Sequence, residues 1–471
     1  MKTIKYLMIG ALMAGSYISV NAQDDHKATI EQVTKIIKSQ DANKEKQIKD
    51  IFKANKKNAD VLTAIGRAYL DIKDTANAQI YANLAMARDK HYGDAYVLAG
   101  DIEAFKDNGG AASGWYEQAI YFDPKNPNGY RRYAQVNSKV SPSSSVAKLE
   151  ELRKQRPDYP VDIISAEIYD RAGNISKALE YYNKVDKNQM EDYQLVSFAL
   201  NYFLKSEFDK SLEIAQFGIK KFPSNAALNR INFFNLTNLK RYDEALQYAD
   251  ALFNKSEKTK ITESDYLYYG YAYLGKKDYD KAIEMFNKSL ENNTDNKQDR
   301  SDALKNIANA YSAKGDYTNA AQKYEEYLKS LDKQTASEYA GLAGIYLTQA
   351  QETKGAEQTE AYQKAAAAYK ELGEKYPNVK DFATLWQARI NSYMDPDMKT
   401  YQAKPFYEEL ANMLKDKENR DENENKYLLE AYQYLGYYYY KIDDKPNYTD
   451  YWNRVLTLDP NNATAKQVLG K

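Results

Sequence analysis

Residues 263–290 read ESDYLYYGYAYLGKKDYDKAIEMFNKSL, and this stretch decides the fold. Small residues stand at Gly270 and Ala282, and aromatic residues follow them at Tyr273 and Phe286. Apolar residues spaced three and four apart predict two amphipathic helices, and the polar run KKDY between them predicts a turn. Because two antiparallel helices approach closely only where the contacting residues are small, the spacing predicts a helical hairpin.

The same frame recurs along nearly the whole chain with a period of about 34 residues. Small, aromatic and proline marks at matching offsets make up further copies: Gly66, Tyr69, Ala78 and Ala82; Gly100, Ala112, Tyr116 and Ala119; Ala199, Tyr202, Ala215 and Pro223; Ala308, Tyr311, Ala320 and Tyr324; and Gly436, Tyr439, Trp452 and Pro460. A proline after the second helix cannot continue it and therefore sets the turn into the next unit. Because one hairpin cannot bury its apolar faces alone, the hairpins are expected to stack.

This order of small, aromatic and proline positions resembles the tetratricopeptide repeat family. The resemblance implies an all-α fold, a right-handed superhelical α-solenoid of helix-turn-helix repeats. We predict about eleven repeats over residues 59–460, some of them degenerate, with insertions near 351–360 and 394–400. Residues 23–58 are expected to form an N-terminal helical cap and residues 461–471 a C-terminal cap or tail, because a solenoid needs distinct ends.

Residues 1–22 have the three-part layout of a secretory signal peptide. A basic start at Lys2 precedes an apolar stretch, and Ala22 ends a small-residue cleavage signal before Gln23. An uncleaved anchor is the alternative. Cleavage before glutamine resembles the usage of Bacteroidetes, so we expect export to the periplasm or outer membrane of a Gram-negative bacterium. No later segment is apolar for long enough to cross a bilayer.

The composition argues against several classes of function. The 471 residues include no cysteine, which excludes thiol nucleophiles and thiolate metal sites. Only two histidines are present, although histidine is the usual general base and the commonest metal ligand. The formal net charge of −1 provides no basic field for nucleic acid. We therefore predict no catalytic centre, no metal site, no cofactor and no nucleic-acid partner.

The family resemblance also implies where a partner binds. Fixed positions on the first helix of each repeat line a concave groove, one of them directly after the first small mark and another one turn earlier. Carried onto this sequence, the predicted partner-binding residues are Arg67, Asp101, Arg131, Arg230, Tyr271, Lys305, Asn309, Arg389 and Tyr437. This mixture predicts aromatic contacts with local polar pairing. Solvated surface or packing between repeats is the alternative for each residue.

The predicted function is a non-catalytic scaffold that binds an unidentified protein or peptide, an envelope or secretion component. The 45 tyrosines motivate an alternative, a glycan- or peptidoglycan-binding module whose groove tyrosines contact sugars. An enzyme, and a homo-oligomer joined through the ends of the array, are further alternatives. The triplet Asp74-Thr75-Ala76 resembles a bacterial O-glycosylation site, but a motif this short arises by chance about once in such a chain.

Overall fold

The computed structural model describes residues 27–39, 41–256, 259–292 and 296–470. The predicted signal peptide, residues 1–22, lies outside these ranges. Every regular element within them is helical, and the prediction of an all-α repeat architecture is confirmed. The chain divides into two compact units, a division that the repeat period does not indicate.

The first unit ends at Leu239 and also includes Lys255 and Ser256. Each of its helices packs against the next one along the chain, so that antiparallel pairs stack in order. The helices are α1 (Lys27–Lys38), α2 (Lys44–Asn55), α3 (Ala59–Asp71), α4 (Thr75–Arg88), α5 (Gly93–Phe105), α6 (Gly109–Phe122), α7 (Pro127–Asn137), α8 (Pro142–Gln155), α9 (Val161–Arg171), α10 (Ile175–Tyr182), α11 (Asp192–Leu204), α12 (Phe208–Lys221) and α13 (Ala226–Asn238). Helices α1 and α2 occupy the stretch where the cap is predicted.

The second unit comprises Lys240–Asn254 and the described residues from Thr259 onward. Its helices are α14 (Tyr242–Asp250), α15 (Glu263–Gly275), α16 (Tyr279–Asn292), α17 (Lys297–Ala313), α18 (Tyr317–Ser330), α19 (Ala336–Glu352), α20 (Gly355–Lys375), α21 (Lys380–Met394), α22 (Lys404–Leu414), α23 (Glu422–Lys441), α24 (Lys445–Leu458) and α25 (Ala463–Leu469). Here too, from α14 onward, helices adjacent in sequence pack on one another.

One turn design joins the two helices of many pairs. A residue with left-handed backbone ends the first helix, and these residues are Lys73, Asp107, Gly173, Lys277, Gly315 and Asp443. The next residue is Asp or Asn, and its N–H donates back to the first helix, as Asp74 does to the Tyr69 carbonyl at 2.9 Å. Its side chain accepts an N–H of the second helix, as Asp74 does from Asn77 at 3.0 Å. The pair of residues thus terminates one helix and caps the next.

The small marks act as the sequence predicts. A Cβ added at Gly100 would overlap the ring of Tyr116, and one added at Gly270 would overlap the ring of Phe286. Both rings belong to the second helix of the same pair and are buried. Glycine therefore admits an aromatic side chain directly against the backbone of the first helix, which brings the two helices close together.

The two predicted insertions are built in different ways. Near 351–360 the extra residues lengthen the helices, so that α19 has 17 residues and α20 has 21. Near 394–400 they form a loop between α21 and α22, the insertion loop (residues 395–403). The first insertion therefore adds helical residues, whereas the second adds a loop without regular secondary structure.

Candidate functional site

In each unit the first helices of successive pairs form one surface, the first-helix face: α3, α5, α7, α9, α11 and α13 in the first unit, and α15, α17, α19, α21 and α23 in the second. Several successive first helices contact each other directly: α3 and α5, α5 and α7, α9 and α11, and α11 and α13 in the first unit, and α15 and α17 in the second. No two second helices of successive pairs pack to a similar extent among the described residues. Where these contacts occur, the first helices lie closer together than the second helices, which makes the first-helix face the inner side of the stack there.

The predicted residues Arg67 and Asp101 meet on the first-helix face of the first unit. Nη1 of Arg67 lies 2.9 Å from Oδ2 of Asp101, whose side chain is 11% exposed. Nε of Arg132 lies 3.3 Å from Oδ1, and the Tyr116 hydroxyl donates to the same oxygen at 2.9 Å. Burial and the Asp101 carboxylate raise the pKa of Tyr116, so its hydroxyl keeps the proton that it donates. Asp101 thus joins three first helices and has little capacity left for a partner.

Arg131 and Arg230 have opposite environments. Arg131 on α7 is exposed. It lies beside Tyr159, whose pKa is raised by burial and partly lowered again by the guanidinium. Arg230 on α13 is only 8% exposed, which agrees with the alternative of packing between repeats stated for each predicted position. Helix α13 packs against α11 and α12, and Asn232 and Asn235 of the same helix are buried as well.

Tyr271, Lys305 and Asn309 lie on α15 and α17 of the second unit. The ring of Tyr271 meets that of Phe286 edge-on, with centroids 5.6 Å apart, and burial raises the pKa of Tyr271. Nζ of Lys305 lies 5.4 Å from the centre of the Tyr327 ring. Asn309 is exposed. Tyr271 and Lys305 therefore contribute to packing, whereas Asn309 is open to a partner.

Arg389 pairs with a carboxylate of the next first helix. Its Nε and Nη2 lie 2.9 Å and 2.6 Å from the two carboxylate oxygens of Glu430. The Tyr407 hydroxyl donates to the same carboxylate at 3.0 Å. The guanidinium also lies 5.1 Å from the ring centre of Trp386. Such bidentate pairing links α21 to α23 and leaves no unpaired charge at Arg389.

Gly344 on α19 is a position that the sequence prediction missed. It directly follows the small mark Ala343, so the rule that selected Asn309 would have found it. Apart from the neighbouring backbone of its own helix, no atom lies within 4 Å of the place where its Cβ would stand. The first-helix face is therefore open at this point. A Cβ at Gly341, one turn earlier, would instead overlap Tyr324.

The last predicted residue, Tyr437, lines a pocket. This insertion-loop pocket has a volume of about 620 Å³ and is lined by Pro396, Asp397, Met398, Lys399, Tyr401, Tyr437 and Lys441. Tyr437 is 46% exposed, and Nζ of Lys441 lies 5.8 Å from the centre of its ring. Nζ of Lys399 lies 2.8 Å from a carboxylate oxygen of Asp397. The insertion loop thus faces the C-terminal end of α23 across an open depression that is lined by polar and aromatic residues.

The buried Asp395 organises the insertion loop. Its carboxylate accepts the backbone N–H groups of Lys399, Thr400 and Tyr401 at 2.8, 2.9 and 2.7 Å. Burial alone would raise the pKa of Asp395, but these hydrogen bonds outweigh it and lower the pKa below the ordinary value. Met398 and Tyr401 have positive φ angles of 52° and 55°, which non-glycine residues adopt only where the surroundings hold them. The backbone conformation of the insertion loop is therefore fixed by its own hydrogen bonds.

Two further properties concern only the residues that the structure describes. Among them, no group of three or more His, Cys, Asp or Glu side chains is arranged to hold a metal ion. None of the helices in those ranges combines the length and the apolar character needed to span a bilayer. In the triplet Asp74-Thr75-Ala76, Asp74 caps α4 and Thr75 is the first residue of that helix.

Residues 261–333, which contain helices α15 to α18, match the family model for the tetratricopeptide repeat. No curated protein sequence matches the chain significantly. Among solved structures, the C-terminal part of a TPR repeat-containing protein from Cytophaga hutchinsonii is 23% identical, covering 65% of this chain and 99% of that one, with a TM-score of 0.42. A tetratricopeptide repeat protein from Parabacteroides merdae is 16% identical, covering 52% and 97% of the two chains, with a TM-score of 0.33.

Proposed function

Because this chain contains tetratricopeptide repeats, we propose that it is a scaffold whose second unit holds an extended segment of a partner protein on its first-helix face. One observation carries the proposal, the open row formed by Asn309, Gly344 and Tyr437. These residues occupy equivalent positions on α17, α19 and α23, each directly after a small mark. Stacked repeats commonly use such a continuous inner surface to bind extended peptides or helices.

The chemistry of this row indicates what kind of segment it suits. Arg389, between Gly344 and Tyr437, is neutralised by Glu430. The row therefore offers an amide, an open stretch of backbone and a phenol, without an unpaired charge. An extended segment can exchange hydrogen bonds with Asn309 and rest an apolar side chain over Gly344.

The equivalent face of the first unit is less suited to this role. Of the four residues predicted in the first unit, Arg67 and Asp101 bind each other, Arg230 is buried, and Arg131 alone is exposed. A partner would have to displace these contacts before it gained new ones, which reduces the net free energy of binding. We therefore assign the partner segment to the second unit.

The glycan alternative requires accessible tyrosine rings along the same surface. Tyr271 on α15 packs against Phe286 and is not available to a sugar. Tyr393 on α21 and Tyr437 on α23 are each 46% exposed, so the glycan alternative remains a candidate function at these two rings.

The proposal includes a location outside the cytoplasm and a partner from the envelope or secretion machinery. The layout of residues 1–22 supports it. Mass spectrometry of the protein recovered from a periplasmic fraction is expected to find an N-terminus at Gln23. Recovery of a chain with an intact leader from the cytoplasm would refute the location and leave the binding face to be judged separately.

Photocrosslinking in intact cells tests the binding face. A benzophenone amino acid placed at Asn309 or Gly344 is expected to give a discrete adduct with one partner. The control position is Glu284 on the second helix α16, whose side chain is 56% exposed. Equal adducts from Glu284, or none from either position on the first-helix face, would contradict the proposal.

A bulky substitution provides a second test. Gly344→Trp fills the open position and is expected to reduce recovery of the crosslinked partner at least about tenfold, as blocking the centre of an interface does. Gly114→Trp is the matched control, because a Cβ at Gly114 on α6 also meets no atom within 4 Å but lies on a second helix of the first unit. Circular dichroism establishes that both variants remain helical.

A further inference from the structure

We propose that the insertion-loop pocket binds an acidic side chain from an internal position of the partner segment. The proposal rests on the proposed function, since it takes the ligand to be a peptide. To the proposed function it adds a second contact site for the partner, which lies outside the regular repeat pattern. It also specifies the chemical class of the bound side chain.

The pocket is formed before any ligand arrives. Three N–H groups bound by the Asp395 carboxylate hold the insertion loop in place. Tyr401 packs edge-on against Tyr438 of α23, with ring centroids 4.8 Å apart, and Nζ of Lys404 lies 5.1 Å from the Tyr438 ring centre. A ligand therefore meets an ordered surface and does not have to order the loop, which improves affinity.

The polar groups of the lining are suited to a carboxylate. Lys399 is paired with Asp397, but no carboxylate of the described residues forms an ion pair with Lys441. The hydroxyl groups of Tyr401 and Tyr437 likewise make no hydrogen bond within the described part of the chain. One unpaired ammonium and two phenol O–H donors among the residues that line the pocket match the acceptor oxygens of an aspartate or glutamate side chain.

The rest of the lining is suited to a peptide. Pro396, Met398 and the tyrosine rings supply apolar surface around the polar groups. A volume of about 620 Å³ lies in the range of sites for ligands the size of a few amino-acid residues. Tyr437 belongs both to this pocket and to the open row of the first-helix face. A segment that contacts Tyr437 at the end of that row is therefore also in contact with the pocket.

A cationic ligand fits this pocket poorly. Lys441 already lies against the Tyr437 ring, so a second cation would meet a like charge there. The one carboxylate in the lining, Asp397, is occupied by Lys399. Both observations favour an anion.

The test uses the full chain and a pair of capped peptides, acetyl-Ser-Trp-Glu-Glu-Trp-Ser-amide and its counterpart with Gln in place of Glu. Both ends are blocked, so a terminal carboxylate plays no part. Calorimetric titration is expected to show that the Glu peptide binds at least about fivefold more tightly, and that Lys441→Gln removes most of this preference, because the charge-assisted hydrogen bond is lost. Lys426→Gln on the same helix is the control, since Lys426 pairs with Glu422 and lies outside the pocket.

Several outcomes would overturn the proposal. Equal affinity for the Glu and Gln peptides would do so, as would an equal effect of Lys426→Gln and Lys441→Gln. If a uronic-acid oligosaccharide competes more strongly than the Glu peptide, the pocket is a sugar site and the assignment to a peptide is wrong. If crosslinking at Asn309 succeeds while the peptides do not discriminate, the scaffold stands and the pocket proposal fails. A Glu preference without any crosslink at Asn309 would instead support the pocket and contradict the binding face.

Discussion

Arg67 on α3 donates to Asp101 on α5 at 2.9 Å, and the two residues are 34 positions apart, one repeat of the sequence. The same interval separates Asn128 from Asp94, which accepts its side-chain N–H at 2.8 Å. Because the first helices lie closest together, side chains at equivalent positions of successive repeats reach each other. Positions expected to bind a partner therefore also connect the repeats, and in the first unit this connecting role prevails.

The first prediction concerns the Asp101 carboxylate. Asp101→Ala is expected to lower the free energy of unfolding of the first unit by about 2 kcal/mol, because it removes a nearly buried acceptor and leaves its donors unsatisfied. The shift of the urea midpoint measures the effect. Lys177→Ala, which breaks an exposed pair with Glu180 in the same unit, is the control and should leave the midpoint unchanged. Equal shifts would show that Asp101 is no more important than a surface charge.

The second prediction contrasts two glycines in first helices of the second unit. Gly344→Ala is expected to stabilise the unit by about 0.5–1 kcal/mol, since alanine restricts the unfolded chain and favours helix, and its Cβ meets open space. Gly270→Ala is expected to destabilise it by about 1–3 kcal/mol, since the Cβ overlaps the buried Phe286 ring. Urea unfolding of both variants gives the two signs. The same sign for both would contradict the packing described for the small marks.

The third prediction concerns the turns between paired helices. Lys277 has a φ of 62°, so Lys277→Gly is expected to stabilise the second unit by about 1 kcal/mol. Gly315, with a φ of 80°, occupies the equivalent turn in the next pair, and Gly315→Ala is expected to cost about 1 kcal/mol. Thermal unfolding midpoints report both changes. A lower unfolding midpoint for Lys277→Gly would mean that the lysine side chain stabilises the fold by more than its left-handed backbone destabilises it.

The fourth prediction is a pH dependence that depends on Asp395. Its pKa in the folded protein is lowered, so its contribution to stability is fully present above the ordinary aspartate pKa of about 3.9 and is lost as pH falls through the lower, folded-state value. The difference in urea midpoint between the natural protein and Asp395→Asn should therefore be largest near neutral pH and shrink below about pH 4. A difference that does not change with pH would show that the ionised carboxylate does not hold the loop.

How much the sequence could predict depends on the range of each interaction. The helical hairpin depends on contacts such as Gly270 with Phe286, which lie within one repeat and require only a small residue opposite a large one. The turn at Lys277 and Asp278 depends on neighbouring residues alone. These features recur with the repeat period, so the amino-acid sequence predicts them. It also predicts the position of Gly344 on the first-helix face, because the rule that selected Asn309 would have selected Gly344.

By itself, then, the amino-acid sequence determined the helix pairs, their turns, their close packing and the row of positions on the first helices. Only the tertiary structure decided which of those positions are available: Asp101 is engaged by Arg67, Arg230 is buried, and Asn309 and Tyr437 are open. It also decided that one insertion extends two helices while the other encloses a pocket against α23. The physical reason is that availability depends on side chains from different repeats meeting in space, and the spacing within one repeat carries no information about those partners.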